Sequence, residues 1–143
     1  MASIFQKTIA QNKEYFYALL RIAVGLLFLE HGLQKIFGIL GFAHAAPLFS
    51  LMGLAGVTEL AVGILLTLGL FTRLASLAGI IEMIGVYLVA HAPNGLIPIM
   101  NKGELALLYL ATFLVLFSHG GQKWCLDNLI AGKGKKSKKH KEE

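Results

Sequence analysis

GLLFLEHGLQKIFG, residues 25–38, decides how this chain is read. An apolar run with the look of a membrane span meets Glu30, His31, Gln34 and Lys35 before a bilayer's thickness has been crossed. At 100° per residue, these four side chains fall within an arc of roughly 140° on one helix. One face of the first helix thus carries an acid, an imidazole, an amide and an amine. The rest of the sequence bears on what those groups face.

Composition sets the solvent. The 143 residues suffice for one domain and are too few for two ordinary cores. Hydrophobic residues make up 56% and charged residues 15%, with a mean hydropathy of +0.68; soluble domains carry about a quarter charged residues. Six of the thirteen Lys and Arg lie in 133–141, so the net charge of +5 describes a lysine-rich tail more than a fold. The single cysteine, Cys125, excludes an intrachain disulfide, a CxxC redox pair and a thiolate metal site. Ala43-His44-Ala45 resembles a signal-cleavage box, but Glu30, His31 and Lys35 separate it from the apolar run, so the first span is expected to be retained.

The pattern predicts an all-α bundle of four transmembrane helices at about 18–37, 48–70, 74–90 and 104–118, forming one domain over 1–130. None of these spans holds 18 residues free of Asp, Glu, Lys and Arg, as buried soluble helices also would not. They are nevertheless apolar all round and lack the polar faces of a soluble bundle, which favours the membrane. Residues 1–14 read as an amphipathic or frayed lead-in, and Tyr15, Phe16 and Tyr17 as an interfacial cluster. Arg21 lies within reach of the headgroups for snorkelling. Residues 122–130 read as a short interfacial helix anchored by Trp124, and 131–143 as a disordered tail that attracts anionic lipid. Lys7, Lys13, Arg21, Arg73, Lys123 and the tail share one side, against Lys35 and Lys102 on the other, so the positive-inside rule makes both termini cytoplasmic.

Three carboxylates fall inside predicted spans, and Glu104 opens the fourth. At 1.5 Å per residue, Glu30, Glu59 and Glu82 lie at ~18, ~14 and ~12 Å from the cytoplasmic edge. Glu59 shares its face with Ala55, Gly56 and Gly63, and Glu82 shares its own with Ala75, Ala78, Gly79 and Gly85. Small residues mark close helix approach. A polar pocket of Glu30, His31, Gln34, Lys35, Glu59, Glu82 and Glu104 is therefore predicted, with His91 and Asn94 in an outer loop. The bland alternative is a protonated, hydrogen-bonded network without chemistry. Bis-imidazole haem through His31 and His91 is disfavoured because His91 ends a helix. No Glu-x-x-His pair points to a metal cluster, and no nucleotide loop or nucleic-acid surface is apparent beyond the tail.

Five stretches in order, RIAVGLLFLEHGLQKIFG, GLAGVTELAVGILLTLGLFTRLAS, HAPNG, GELALLYLATFLVL and LDNLI, resemble the DoxX family of bacterial membrane proteins over about 21–130. The matching positions are His31, Gly32, Lys35, Glu59, Gly63, Arg73, Asn94, Gly95, Glu104 and Asp127. The family's closing Gly-Pro-Gly-Arg-like turn departs here: the proline is absent, and Lys123 stands near the place of the arginine. The resemblance implies a four-helix protein of the bacterial inner membrane. Its relatives include a subunit of a thiosulfate:quinone oxidoreductase, members of oxidative-stress complexes, and distant eukaryotic cargo receptors. Fold is thereby fixed better than activity. The expectation is a quinone-linked redox component, possessing no electron carrier of its own and so requiring a partner subunit or a bound quinone. The alternative is a non-enzymatic scaffold or assembly factor that holds partner helices through glycine-rich faces at Gly56 and Gly79. Transport of a small solute is a third reading, which four spans favour only in an oligomer.

Overall fold

Two stops in the backbone shape the first hairpin. Gly38, at a left-handed φ of 64°, ends α1 (Ala2–Phe37), and the Ser50 hydroxyl opens α2 (Leu51–Leu68) by accepting from the Gly53 N–H at 3.1 Å. The computed structural model describes residues 2–128 and 130, and every regular element among them is helical. Gly69, also left-handed, closes α2, and α3 (Thr72–Val86) follows directly. The chain then widens into a π turn (Tyr87–His91) and tightens into a 3₁₀ turn (Ala92–Asn94), where Pro93 cannot continue a helix. A single turn α4 (Pro98–Asn101) leads to α5 (Glu104–His119).

The α1–α2 seam is built on glycine. A Cβ at Gly63 would lie 2.6 Å from Leu29 N and 2.8 Å from Gly25 O, and one at Gly32 would lie 2.6 Å from Leu60 N and 2.9 Å from Gly56 O. All four neighbours are backbone atoms and cannot give way. Gly25 with Gly32, and Gly56 with Gly63, each recur at seven residues, which returns to one helix face every two turns. Gly25 meets Gly63 while Gly32 meets Gly56, so the helices run antiparallel. On the other side, Gly79 of α3 lies against the ring of Phe113 of α5, where an added Cβ would approach to 2.6 Å. Gly56 and Gly79 are thus spent inside the bundle, which removes them as a surface for partner helices. Phe28, Leu66, Phe113 and Leu116 are fully buried between the helices.

The outside is as apolar as the inside. Leu54, Leu74, Ile81 and Leu108 are each more than half exposed, on faces that water would penalise and hydrocarbon would not. The helical stretches Gln6–Phe37, Leu51–Leu68 and Thr72–Asn94 are long and apolar enough to cross a membrane. Helix α5 is apolar with 16 residues, ~24 Å at 1.5 Å per residue.

Several elements differ from the sequence reading. The lead-in is no frayed segment: it is the first part of α1, continuous from Ala2, and it carries the helix ~22 Å beyond Tyr17. Residues 48–50 belong to the loop before α2, because the Ser50 cap fixes the start. Residues 122–130 do not form one helix. Trp124 is left-handed at φ 53°, and helix resumes only at Leu126. The predicted tail, 131–143, lies outside the described residues.

Candidate functional site: an ion pair and an unpartnered carboxyl inside the bundle

The glycine seam positions the chemistry. Gly56 lets Lys35 lie close, since a Cβ there would sit 2.9 Å from the Lys35 Cβ. One turn further along α2, the Glu59 carboxylate accepts from the Lys35 ammonium in a direct ion pair. The pair is buried, with 4% of the Glu59 side chain and 18% of the Lys35 side chain exposed. The second oxygen of Glu59, Oε2, has no hydrogen-bond partner among the described residues, and neither has either oxygen of Glu82 on α3. Glu82 lies within electrostatic reach of Glu59 and Lys35, and Glu59 lies within reach of His31. One cation thus faces two carboxyl groups. Burying a charged carboxylate without a counter-ion costs several kcal/mol, so the second carboxyl calls for a proton, a water or a polar ligand.

An aromatic wall lies beside the acids. Tyr109, Phe28 and Phe113 pack with ring centroids 4.9–5.9 Å apart, and His31 meets Tyr109 edge-on at 5.9 Å. No hydrogen bond involves His31 or the Tyr109 hydroxyl among the described residues.

The predicted site residues divide. His31, Lys35, Glu59 and Glu82 come together. Glu30 is exposed, because the 140° arc is wide: taking Glu30 as zero, Gly25 and Gly32 lie at roughly 200–220°, Lys35 at 140° and His31 at 100°. Glu30 thus points nearly opposite the seam. Gln34 serves the loop, donating to Leu40 O at 2.9 Å. Glu104 is exposed in the first turn of α5, where its charge suits the helix dipole. His91 and Asn94 serve the outer loop: His91 Nδ1 lies 3.0 Å from Asn101 O, and Asn94 donates to Ala90 O at 3.2 Å. Asn101, which sequence reasoning passed over, is the buried centre of that loop, donating to Gly95 O at 2.6 Å and accepting from Gly103 N–H at 2.8 Å.

Sequence reasoning also missed a clasp at the other end. Arg21 does not snorkel; it is completely buried. Its guanidinium donates to the Leu66 and Thr67 carbonyls at the end of α2 and to Trp124 O at 2.7 Å. The signal was present, since Arg21 falls at roughly 180° on the same wheel, beside the glycine seam. Asp127 completes the clasp, accepting from the N–H groups of Phe71 at 2.8 Å and Thr72 at 3.2 Å and thereby capping α3. Tyr17 donates to Gly120 O at 2.6 Å. A cavity of about 480 Å³ lies at this end, lined among others by Thr72, Arg73, His119 and Asp127.

A DoxX family model matches residues 16–92, which hold α1 from Phe16, all of α2 and α3, and therefore the complete Lys35–Glu59–Glu82 cluster. The chain belongs to the DoxX family. Over 122 residues it is 38% identical to an uncharacterised protein of Haemophilus influenzae, covering 81% of this chain and 91% of that one. It is 30% identical over 132 residues to an uncharacterised membrane protein of Mycobacterium tuberculosis, covering 78% and 79%. It is also 31% identical over 124 residues to Bacillus subtilis CatD, whose name assigns it provisionally to the oxidoreductases, covering 83% and 89%. No solved structure matches the chain. This DoxX protein is thus a membrane protein whose clasp joins Arg21, inside the matched stretch, to Asp127, beyond it.

Proposed function

We propose that this DoxX protein is a four-span component of the bacterial inner membrane, with both termini cytoplasmic, that handles protons for a quinone-linked redox system. In this reading α5 is the fourth span, and a partner subunit supplies electrons. The observation that carries the proposal is Glu82: both its carboxyl oxygens are buried without a partner among the described residues, beside the Lys35–Glu59 pair, in helices apolar enough to cross a membrane.

The residues suit a ligand that needs protons delivered within an apolar site. A lipid quinone, when bound, would take two electrons from the partner and two protons to become a quinol. Lys35 keeps Glu59 neutralised, so that a proton on Glu82 is the mobile one of the cluster. His31 is free to donate a hydrogen bond to a carbonyl oxygen, and the Phe28–Tyr109–Phe113 wall offers a surface for an apolar ring. The name of CatD agrees with such a role without specifying it.

The test is purification in mild detergent, followed by solvent extraction for lipid quinone and measurement of proton uptake when the bound quinone is reduced. Quinone is expected to co-purify, and Glu82→Gln is expected to retain quinone while losing proton uptake. Protein free of quinone, together with a Glu82→Gln variant that behaves as the parent in redox assays, would sink the proposal.

A further inference from the structure

At the clasp end, α3 begins and α5 ends around an open notch of about 480 Å³, within the size range of small-ligand sites. We propose that this notch binds the phosphodiester headgroup of an anionic glycerophospholipid. The inference is independent of the quinone reading.

Its polar side is cationic. Arg73 is exposed and donates once to Ser118 O at 3.3 Å, and its remaining N–H groups have no acceptor among the described residues. Gly120 makes room for that guanidinium, since a Cβ there would lie 2.9 Å from Arg73 Nε. His119 places Nδ1 at 3.0 Å from Val115 O and 2.9 Å from Ser118 Oγ, and its Nε2 has no partner among the described residues. The carboxylate of Asp127 also lines the notch, but both its oxygens are committed to the N–H groups that open α3, where the helix dipole offsets the charge. A planar guanidinium with free donors matches phosphate oxygens better than an ammonium does.

The other side is apolar and selects an amphiphile over a free anion. Phe71 and Leu74, 59% and 66% exposed, form the lip at the start of a membrane-length helix. The same end carries the Tyr15–Trp124 ring pair, centroids 5.2 Å apart, which marks an interfacial level. A lipid whose phosphate sits between Arg73 and His119 would lay its glycerol and acyl chains over that lip.

Native mass spectrometry of the full chain, released from detergent in the presence of phosphatidylglycerol, phosphatidylcholine or inorganic phosphate, tests this. Phosphatidylglycerol adducts are expected to survive preferentially. Arg73→Gln and His119→Glu should each lower their retention about tenfold, the scale of one charged hydrogen bond. Lys123→Gln, which removes the same charge outside the notch, should change retention by less than about twofold. His119 is exposed, so His119→Glu keeps the test alive if Arg73→Gln does not fold. Equal retention of the two lipids, an equal loss in Lys123→Gln, or displacement of the lipid by inorganic phosphate would overturn the proposal.

Discussion

Replacing Lys35 by methionine leaves the Glu59 carboxylate inside the bundle with no counter-ion. The Glu59 side chain is only 4% exposed and sits in the middle of α2, so it cannot reach water without unpacking the glycine seam. Breaking a buried pair from one side costs about 3–5 kcal/mol. Lys35 itself is 18% exposed, which places the expected cost near the lower limit, about 3 kcal/mol, or roughly a hundredfold in the folded-to-unfolded ratio. Glu59→Gln should cost less, about 1 kcal/mol, because Lys35 lies two residues from the end of α1 and can turn its ammonium outward. Lys35→Met combined with Glu59→Met should return to within about 1 kcal/mol of the parent, since an apolar pair needs no compensation. Reversible unfolding in mixed detergent–SDS micelles measures all three. Single variants each within about 0.5 kcal/mol of the parent, or a double variant whose loss is the sum of the singles, would refute the ion pair as the organising contact of the site.

Three further outcomes follow from other contacts. Arg21→Met removes the donors that tie the end of α2 to Trp124, and should cost about 2–4 kcal/mol and expose 122–128 to limited proteolysis; an unchanged digestion pattern would contradict the clasp. Gly63→Ala places a methyl group against the Leu29 backbone, so cross-linking between cysteines introduced on α1 and α2 should slow; unaltered rates and stability would mean the seam is looser than described. Asp127→Ala uncaps α3 and should cost about 1–2 kcal/mol in the same unfolding assay, whereas Asp127→Asn should recover part of it by still accepting one N–H.

The helices were readable because their apolar length and their breakers, Gly38, Pro93 and Gly120, are local properties of the chain. Glu59 was readable too, since Gly56 and Gly63 flank it on one face. What failed was the choice of inward direction on α1. Four polar groups on one arc suggested a single wall, yet packing is decided by Gly25 and Gly32, and these turn Lys35 inward and Glu30 outward. The same seam would have recruited Arg21, which was instead assigned by its depth near the headgroups. The Asp127 cap on α3 joins residues 55 positions apart, and no local pattern announces such a contact. The π turn at Tyr87–His91 is tied through the His91 ring to Asn101 O, ten residues further on, so that contact was equally hidden.

The central claim is that Glu82 exchanges a proton with a quinone within the bundle. An infrared difference spectrum of the protein in quinone-containing vesicles, taken between chemically reduced and oxidised quinone, reads carboxyl protonation directly. A carboxyl C=O band that changes on reduction and vanishes in Glu82→Gln, while bound quinone is retained, is the predicted result. A difference spectrum that is identical in the parent and in Glu82→Gln would contradict it.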